Sequence, residues 1–340
     1  MSTLVLALGA CGSDDSDDAP SASSGTTASN AQGIEKVRIA LDFSPNVNYL
    51  GIYTAIEKGY FEEQGIEAEI VPFANTPAET LIKSGKTDLG ITYPPDVVIN
   101  RSQGLKYKAV AALVAGNSTA LAVKADAKAT RPADLNGELY GGFGIQSDEP
   151  IVKAILAGDG VQDPEFKQVV LNTDVTTALD KDRIGYTAVF GGISDITAEL
   201  QGVKLKTFPY KDYLGDAGDY PNNVYVASDE TIASRGPVIK RALAALAKGY
   251  EDAAKDPVAS GKILIDANPT ALGKSQEIVE RTGAEVAKQF LDESGAWGPL
   301  EDTDFVGLGK ILKDGGIVKG EVPAPSDLYT NELLPGGATR

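Results

Sequence analysis

From Val37 onward the chain alternates short apolar runs with segments of helical periodicity. VRIAL at 37–41, EAEIVPF at 67–73, DLGIT at 88–92, KAVAALV at 108–114 and ALAVK at 120–124 have strand length and composition. Between the first two, Ile52 meets Ala55 and Ile56 and Leu50 meets Tyr53 at helical spacing, and Gly59 supplies a C-terminal stop. Thr76-Pro77-Ala78-Glu79 reads as a capping box with proline at the first helical position, opening a helix over TPAETLIKSGK. Such alternation predicts an α/β fold with a largely parallel sheet.

After RPADLNG at 131–137 a second block begins, with ELYGGFGI, FKQVVLN and TAVFGG as strands and IVKAILAG as a helix. Residues 208–219 are rich in Tyr, Asp, Gly and Pro, and VYVA at 224–227 reads as the strand that leaves this block. From Gly236 helices dominate: Val238, Ala242, Leu246 and Tyr250 lie on one stripe, with Ile239, Leu243 and Ala247 beside it. A first block, a second block and a return predict two lobes joined by two crossings, with hinge strands at 120–124 and 224–227. Residues 34–120 and 226–340 are expected to form lobe 1, and residues 121–225 lobe 2.

Leu4 to Leu8 form an apolar stretch far shorter than the roughly 20 residues that span a bilayer. Leu8-Gly9-Ala10-Cys11 resembles a bacterial lipoprotein cleavage box, in which the cysteine thiol accepts a diacylglycerol. The lack of a Lys/Arg-rich leader is read as a start codon placed too late or a trimmed N-terminus. Residues 1–11 are thus taken as a signal remnant. Residues 12–33, almost free of apolar side chains, are taken as a flexible tether.

With 340 residues the chain has room for two lobes. Its 48 acidic and 31 basic residues give a net charge of −17, which repels phosphate backbones and argues against a nucleic-acid partner. The sequence holds no histidine and a single cysteine, Cys11. This excludes a serine–histidine hydrolase, a thiolate zinc cage, an iron–sulfur centre and an internal disulfide. No cofactor and no metal are expected. Gly273-Lys274-Ser275 suggests a phosphate-binding loop, but Asn268 stands where the first glycine is required.

The run Leu41-Asp42-Phe43-Ser44-Pro45-Asn46, with Asn48-Tyr49, Gly51, Tyr53, Gly59-Tyr60-Phe61 and Gly65, resembles the opening of the thiamine-pyrimidine-precursor binding proteins of ABC importers. That family is part of a wider class of nitrate, sulfonate, taurine and riboflavin binders. The resemblance continues through Asp88-Leu89-Gly90-Ile91, Tyr93, Gln103-Gly104, the turn from Ala133 to Gly137, Gly191-Gly192 and Glu199. It implies a two-lobe type II periplasmic-binding-protein fold with two hinge crossings and a ligand held between the lobes. It also implies a small-molecule ligand, ABC permease transmembrane subunits as partners, a monomer, and an extracytoplasmic location on a lipid anchor.

Ligands of open α/β sheets gather beyond the carboxyl ends of the strands, which places DFSPN, TYPP and GFGIQS around one cleft. Asp42 there can accept from an aminopyrimidine or another amine, or else cap the following helix, and Phe43 can stack on a flat ring. Asn46 and Asn48 offer amide donors and acceptors, which ordinary turn chemistry also uses. Tyr49 stands where the thiamine-precursor binders usually carry histidine. Tyr93 can wall the cleft, with Pro94-Pro95 pinning its loop, or pack as a structural tyrosine. Gly142, Gly144 and Ser147 lie on a strand-to-helix turn whose free N–H groups can bind an acceptor oxygen or phosphate. Gly191, Gly192 and Glu199 match the family's second-lobe wall, although Glu199 can equally be a solvated helix residue. Arg101, Arg131 and Arg183 lie off these loops, which favours a neutral or cationic heterocycle over nitrate or a sulfonate.

The expected function is therefore capture of a small heteroaromatic solute, such as a thiamine pyrimidine precursor, for import. The alternatives are riboflavin, a sulfonate or taurine, or nitrate. Fungal thiamine-pyrimidine synthases resemble the same fold but rely on a histidine in the first motif and a cysteine cluster further on. Tyr49 replaces that histidine and no cysteine follows Cys11, so no enzymatic turnover is expected.

Overall fold

Val37 and Ile39 are fully buried while the alternating Lys36 is exposed and Arg38 half-buried, the period-two pattern of a strand with one covered face. That strand is β1 (Glu35–Ala40), the centre of the first parallel layer. The computed structural model describes residues 33–74, 76–171 and 175–337. The expected cleavage box, Cys11 and the tether up to residue 32 lie outside the described residues.

β1 runs parallel to β2 (Ile66–Val71) and β3 (Leu89–Thr92). β4 (Tyr107–Val114) completes the first pass, and the chain then enters a second sheet. There β5 (Thr119–Lys124), β6 (Leu139–Gly142), β7 (Lys167–Val170), β8 (Tyr186–Phe190) and β9 (Leu205–Pro209) assemble in the order β7-β6-β8-β5-β9. β10 (Asn223–Ser228) returns to the first sheet between β3 and β4, antiparallel to both, giving β2-β1-β3-β10-β4. Two five-stranded sheets joined by two crossings form the two-lobe α/β architecture.

The chain passes between the sheets over residues 115–118 and 210–222, ahead of the boundaries expected at 120/121 and 225/226. The expected hinge strands pair wholly inside one lobe each: β5 with β8 and β9, β10 with β3 and β4. An apolar run reveals a strand but not the sheet that will hydrogen-bond it. The two connections are fastened to one another, because Asn117 Nδ2 donates to the Gly218 carbonyl at 2.8 Å while its Oδ1 accepts from the Thr119 N–H.

Other differences have local causes. Pro94 and Pro95, expected to pin a loop, open the Pro94–Ser102 helix, whose first turn needs no N–H from them. The Thr76–Glu79 capping box does not form. The helix starts at Ala78, and Glu79 turns inward to accept from the Thr92 hydroxyl. β9 was not anticipated, because LKTFP lacks a clean alternation. The long Asp229–Lys255 helix begins ahead of Gly236, capped by Ser228 Oγ on the Thr231 N–H (2.9 Å), with a break at Arg235 just before Pro237.

The first lobe packs the Leu50–Glu57 helix against the Asp229–Lys255 helix at very short range. A Cβ on Gly51 would stand 2.2 Å from the Tyr250 ring, and one on Gly249 would stand 2.1 Å from the Gly51 carbonyl oxygen. The lobes share apolar core, because Phe305, Leu308 and Leu312 of the Thr303–Asp314 helix lie in one buried cluster. That cluster contains Val97 and Val98 of the first lobe and Tyr140, Val152 and Ile155 of the second.

Candidate functional site

Asp42 lies two residues beyond β1, where Leu41 is still bonded to the sheet through the Val71 carbonyl (3.1 Å). The following turn, Val47–Tyr49, folds the chain back, and the Tyr49 hydroxyl donates to Asp42 Oδ1 at 2.8 Å. The same oxygen accepts the Phe43 N–H at 3.1 Å, so one buried phenol fixes both the carboxylate and its neighbour. Asn223, at the start of β10, donates to Asp42 Oδ2 at 3.1 Å and accepts from Asn48 Nδ2 at 3.3 Å. Tyr225 bonds Tyr250 (3.1 Å), and Tyr250 donates to the Asn48 carbonyl (3.0 Å), anchoring the turn to the core.

Burial raises the pKa of Asp42, opposed by hydrogen bonds from Tyr49 and Tyr93. Burial and then the Asp42 charge raise those of Tyr49 and Tyr93, so both phenols stay protonated and act as donors. Asn48 Oδ1 is buried without a hydrogen-bond partner. Asn46, by contrast, is consumed by the turn: its side chain caps it through the Asn48 N–H (2.9 Å) and donates to the Ser44 carbonyl (3.0 Å).

Three further carboxylates belong to this region. Burial raises the pKa of Glu79, with a smaller contribution from Asp42. Burial, then Glu79, Asp148 and Asp42, pushes Asp96 up to about 7, so the charge of Asp148 in the second lobe is felt by a first-lobe residue. Among the described residues none of Asp42, Glu79, Asp96 or Asp148 forms an ion pair. Each lobe also shows a stacked phenylalanine pair at its strand ends. Phe43 and Phe73 are 5.9 Å apart, and Phe143 and Phe190 are 6.0 Å apart. Phe43 is 58% exposed and Phe143 43%, unusual for rings of this size.

The second-lobe residues named from sequence have other neighbours. Gly144 adopts φ +78, as its turn requires, but the N–H groups of Phe143 and Gly144 are not free: both donate to Asp148 Oδ2 at 3.0 Å. The expected open oxyanion or phosphate site on this turn is thus occupied by the protein's own carboxylate. Ser147 is buried at the helix start without a capping bond. Gly191 donates to the Ser118 carbonyl (2.9 Å). It lines a groove of about 440 Å³ beside the crossings, together with Asn117, Ser118, Asp195, Lys211 and Gln289. Gly192, at φ +80, faces Glu285 of the first lobe. Glu199 is solvent-exposed and pairs with Arg281 at 3.0 Å across the lobes.

Sequence reasoning missed Asn223, Asp96 and Asp148. Asp96 follows a proline pair and Asp148 follows a serine, places where acidic residues usually serve helix starts, and nothing local marks Asn223 as a partner of Asp42.

Two sheets, two crossings and a hydrogen-bonded cluster at the carboxyl ends of the first-lobe strands define a type II periplasmic-binding-protein fold. A family model described as "NMT1/THI5 like" matches residues 46–260, well over half of the chain, and the chain belongs to that family. The chain is 28% identical over 279 residues to a formylaminopyrimidine-binding protein of Halalkalibacterium halodurans, covering 80% of this chain and 82% of the relative. It is 24% identical over 355 residues to the riboflavin-binding protein RibY of Chloroflexus aurantiacus, covering 98% and 96%. In fold it is similar to the alkanesulfonate-binding protein SsuA of Xanthomonas axonopodis pv. citri bound to MOPS. The TM-score is 0.63 at 15% identity, covering 90% of this chain and 99% of that one.

Proposed function

We propose that this chain is an extracytoplasmic solute-binding lipoprotein of an ABC importer that captures a small aminated heteroaromatic compound, a pyrimidine of the thiamine-precursor type, between its lobes. The observation that carries the reading is Asp42, a carboxylate at a strand end, held on one oxygen by Tyr49 and on the other by Asn223, with no cation paired to it among the described residues. With Tyr49, Asn223 and Tyr93 all hydrogen-bonded to it, Asp42 keeps at most one acceptor site for a ligand N–H, which an exocyclic amine or ring N–H fills. Phe43, exposed beside it, offers a face to a flat ring. The relative named as a formylaminopyrimidine binder supports the same chemistry.

Binding of this kind is stoichiometric. Lobe closure removes the ligand from water, and a permease takes it from the closed form. Synthase chemistry is disfavoured because the sequence lacks histidine and Cys11 is its one cysteine. A second reading, riboflavin or a similar multi-ring compound, draws on the phenylalanine pairs, one per lobe, which suit a larger aromatic body.

A thermal-shift and calorimetric screen of aminopyrimidines, riboflavin, methanesulfonate, taurine and nitrate tests the proposal. A rise in melting point with an aminopyrimidine supports it. A rise with riboflavin alone selects the second reading, and no rise with any of these solutes overturns both. Fractionation of cells expressing the full chain and its Cys11→Ser variant tests the anchor, with release of the variant from the membrane as the expected result.

A further inference from the structure

The two sheets are built to one plan. In the orders β2-β1-β3-β10-β4 and β7-β6-β8-β5-β9 the fourth strand is antiparallel to its neighbours and begins where the chain has just crossed between the lobes. Thr119, first in β5, pairs with Phe190 at the end of β8, and Val224, second in β10, pairs with Thr92 at the end of β3. The carboxyl ends of β8 and β3 therefore lie at the crossings, and those of β6 and β1, parallel to them, turn the same way. The ends of β1 and β6 thus occupy matching places on either side of the gap that the crossings span, the region where open α/β sheets bind ligands.

Both ends carry an exposed phenylalanine. Phe43 follows β1 and Phe143 follows β6, and among the described residues these are the two exposed phenylalanines. Each stacks on a phenylalanine from an adjacent strand end, Phe73 beyond β2 at 5.9 Å and Phe190 of β8 at 6.0 Å. Val170, exposed at the end of β7, extends the second-lobe surface, since a Cβ on Gly144 would stand 3.1 Å from it. The Phe143 and Gly144 N–H groups are both taken by Asp148, so this turn presents apolar surface in place of N–H donors. The first-lobe rings are continuous with the polar anchor, because the Phe43 N–H is held by the Tyr49 hydroxyl that also binds Asp42.

We propose that Phe143 and Phe190 are the second-lobe half of the ligand site: lobe closure brings their pair against the Phe43–Phe73 pair with one flat ring system between them, while Asp42 holds its N–H edge. The inference rests on the proposed function and deepens it, assigning the hydrogen bond to the first lobe and ring stacking to both. The occupant is a planar aromatic nitrogen heterocycle. A saturated ring bearing the same N–H groups is too thick and too curved to be covered on both faces, and forfeits the stacking.

Calorimetric titration with 4-amino-2-methylpyrimidine, riboflavin and the saturated diamine piperazine tests this, with thermal unfolding of each variant to establish folding. Phe143→Ala and Phe190→Ala should each weaken binding of the aromatic probe that wild type takes by about tenfold or more, and wild type should not bind piperazine. Phe190→Leu serves if the alanine variant does not fold, with a loss of severalfold. Unchanged affinity in a folded variant, or piperazine bound as tightly as the aromatic probe, overturns the proposal. A second measurement needs no ligand. In a Cys11→Ser background, a chain carrying Phe43→Cys and Phe143→Cys should be joined within itself by dibromobimane, each single cysteine being shown accessible by maleimide labelling. Two accessible thiols that do not cross-link overturn the facing arrangement. If wild type binds no probe, the proposed function fails, and the cross-link still decides whether the two walls meet.

Discussion

The Tyr49 hydroxyl stands 2.8 Å from Asp42 Oδ1 and takes the Phe43 N–H on its own oxygen, so the residue that aims the carboxylate also sets the backbone beside it. A phenol with a raised pKa remains a donor across the physiological range. Tyr49 is thus a positioning residue for Asp42, whatever contact it makes with the ligand itself.

Replacing Asp42 by alanine should weaken aminopyrimidine binding by about 1–3 kcal/mol, roughly five- to 150-fold, because a buried ligand donor loses its acceptor. Tyr49→Phe should cost about tenfold through misplacement of Asp42. Calorimetry on both variants checks this, and an unchanged affinity for Asp42→Ala would assign Asp42 to a structural role.

Gly51→Ala should destabilise the first lobe by at least about 1–3 kcal/mol, because the new methyl would stand 2.2 Å from the Tyr250 ring and neither helix has room to retreat. Since Tyr250 also holds the Asn48 carbonyl, ligand affinity should fall with the melting point. Urea unfolding and calorimetry on the same preparation measure the two effects.

Asp88→Ala should be costly as well. Its buried carboxylate accepts the Arg38 N–H at 2.8 Å and pairs with the Arg235 guanidinium, tying the start of the long helix to the first sheet. Removal of a buried partner costs about 3–5 kcal/mol, and the partial exposure of both arginines lowers the expectation to about 2–3 kcal/mol. Glu199→Gln, at an exposed pair, should change stability by less than about 1 kcal/mol. The denaturation midpoints of the two variants should differ accordingly.

The pH dependence has a definite sign. Asp96 in the folded chain, at about 7, lies above the ordinary aspartate range, so the folded state retains a proton that the unfolded chain releases. Its contribution to stability is complete below the unfolded pKa and is lost as pH rises through about 7. Asp42, Glu79 and Asp148 shift in the same direction. Denaturation midpoints should therefore fall from pH 5 to pH 8, and Asp96→Asn should flatten the slope. An unaltered slope would count against the interlobe carboxylate cluster.

Much of the fold was legible because strand and helix periods are local properties. VRIAL, KAVAALV and ALAVK appear as strands within two residues of their expected bounds, and Gly59 ends its helix in the left-handed conformation, φ 73. What was misread depended on partners distant in sequence. Glu79 looked like a cap until Thr92 drew it inward, and nothing local marks Asp148 as the acceptor for the N–H groups of the loop before it.

The sequence by itself determined an α/β chain of two blocks, a charge that repels nucleic acid, and the presence near the first strand of a carboxylate with aromatic and amide companions. Those follow from periodicity and composition, which need no knowledge of neighbours. Tertiary structure alone decided that β10 returns to the first sheet, that Asn223 thereby meets Asp42 across 181 positions, and that the second-lobe turn spends its N–H groups on Asp148. Hydrogen bonds between residues so far apart are chosen by packing of whole elements, and no local pattern encodes them.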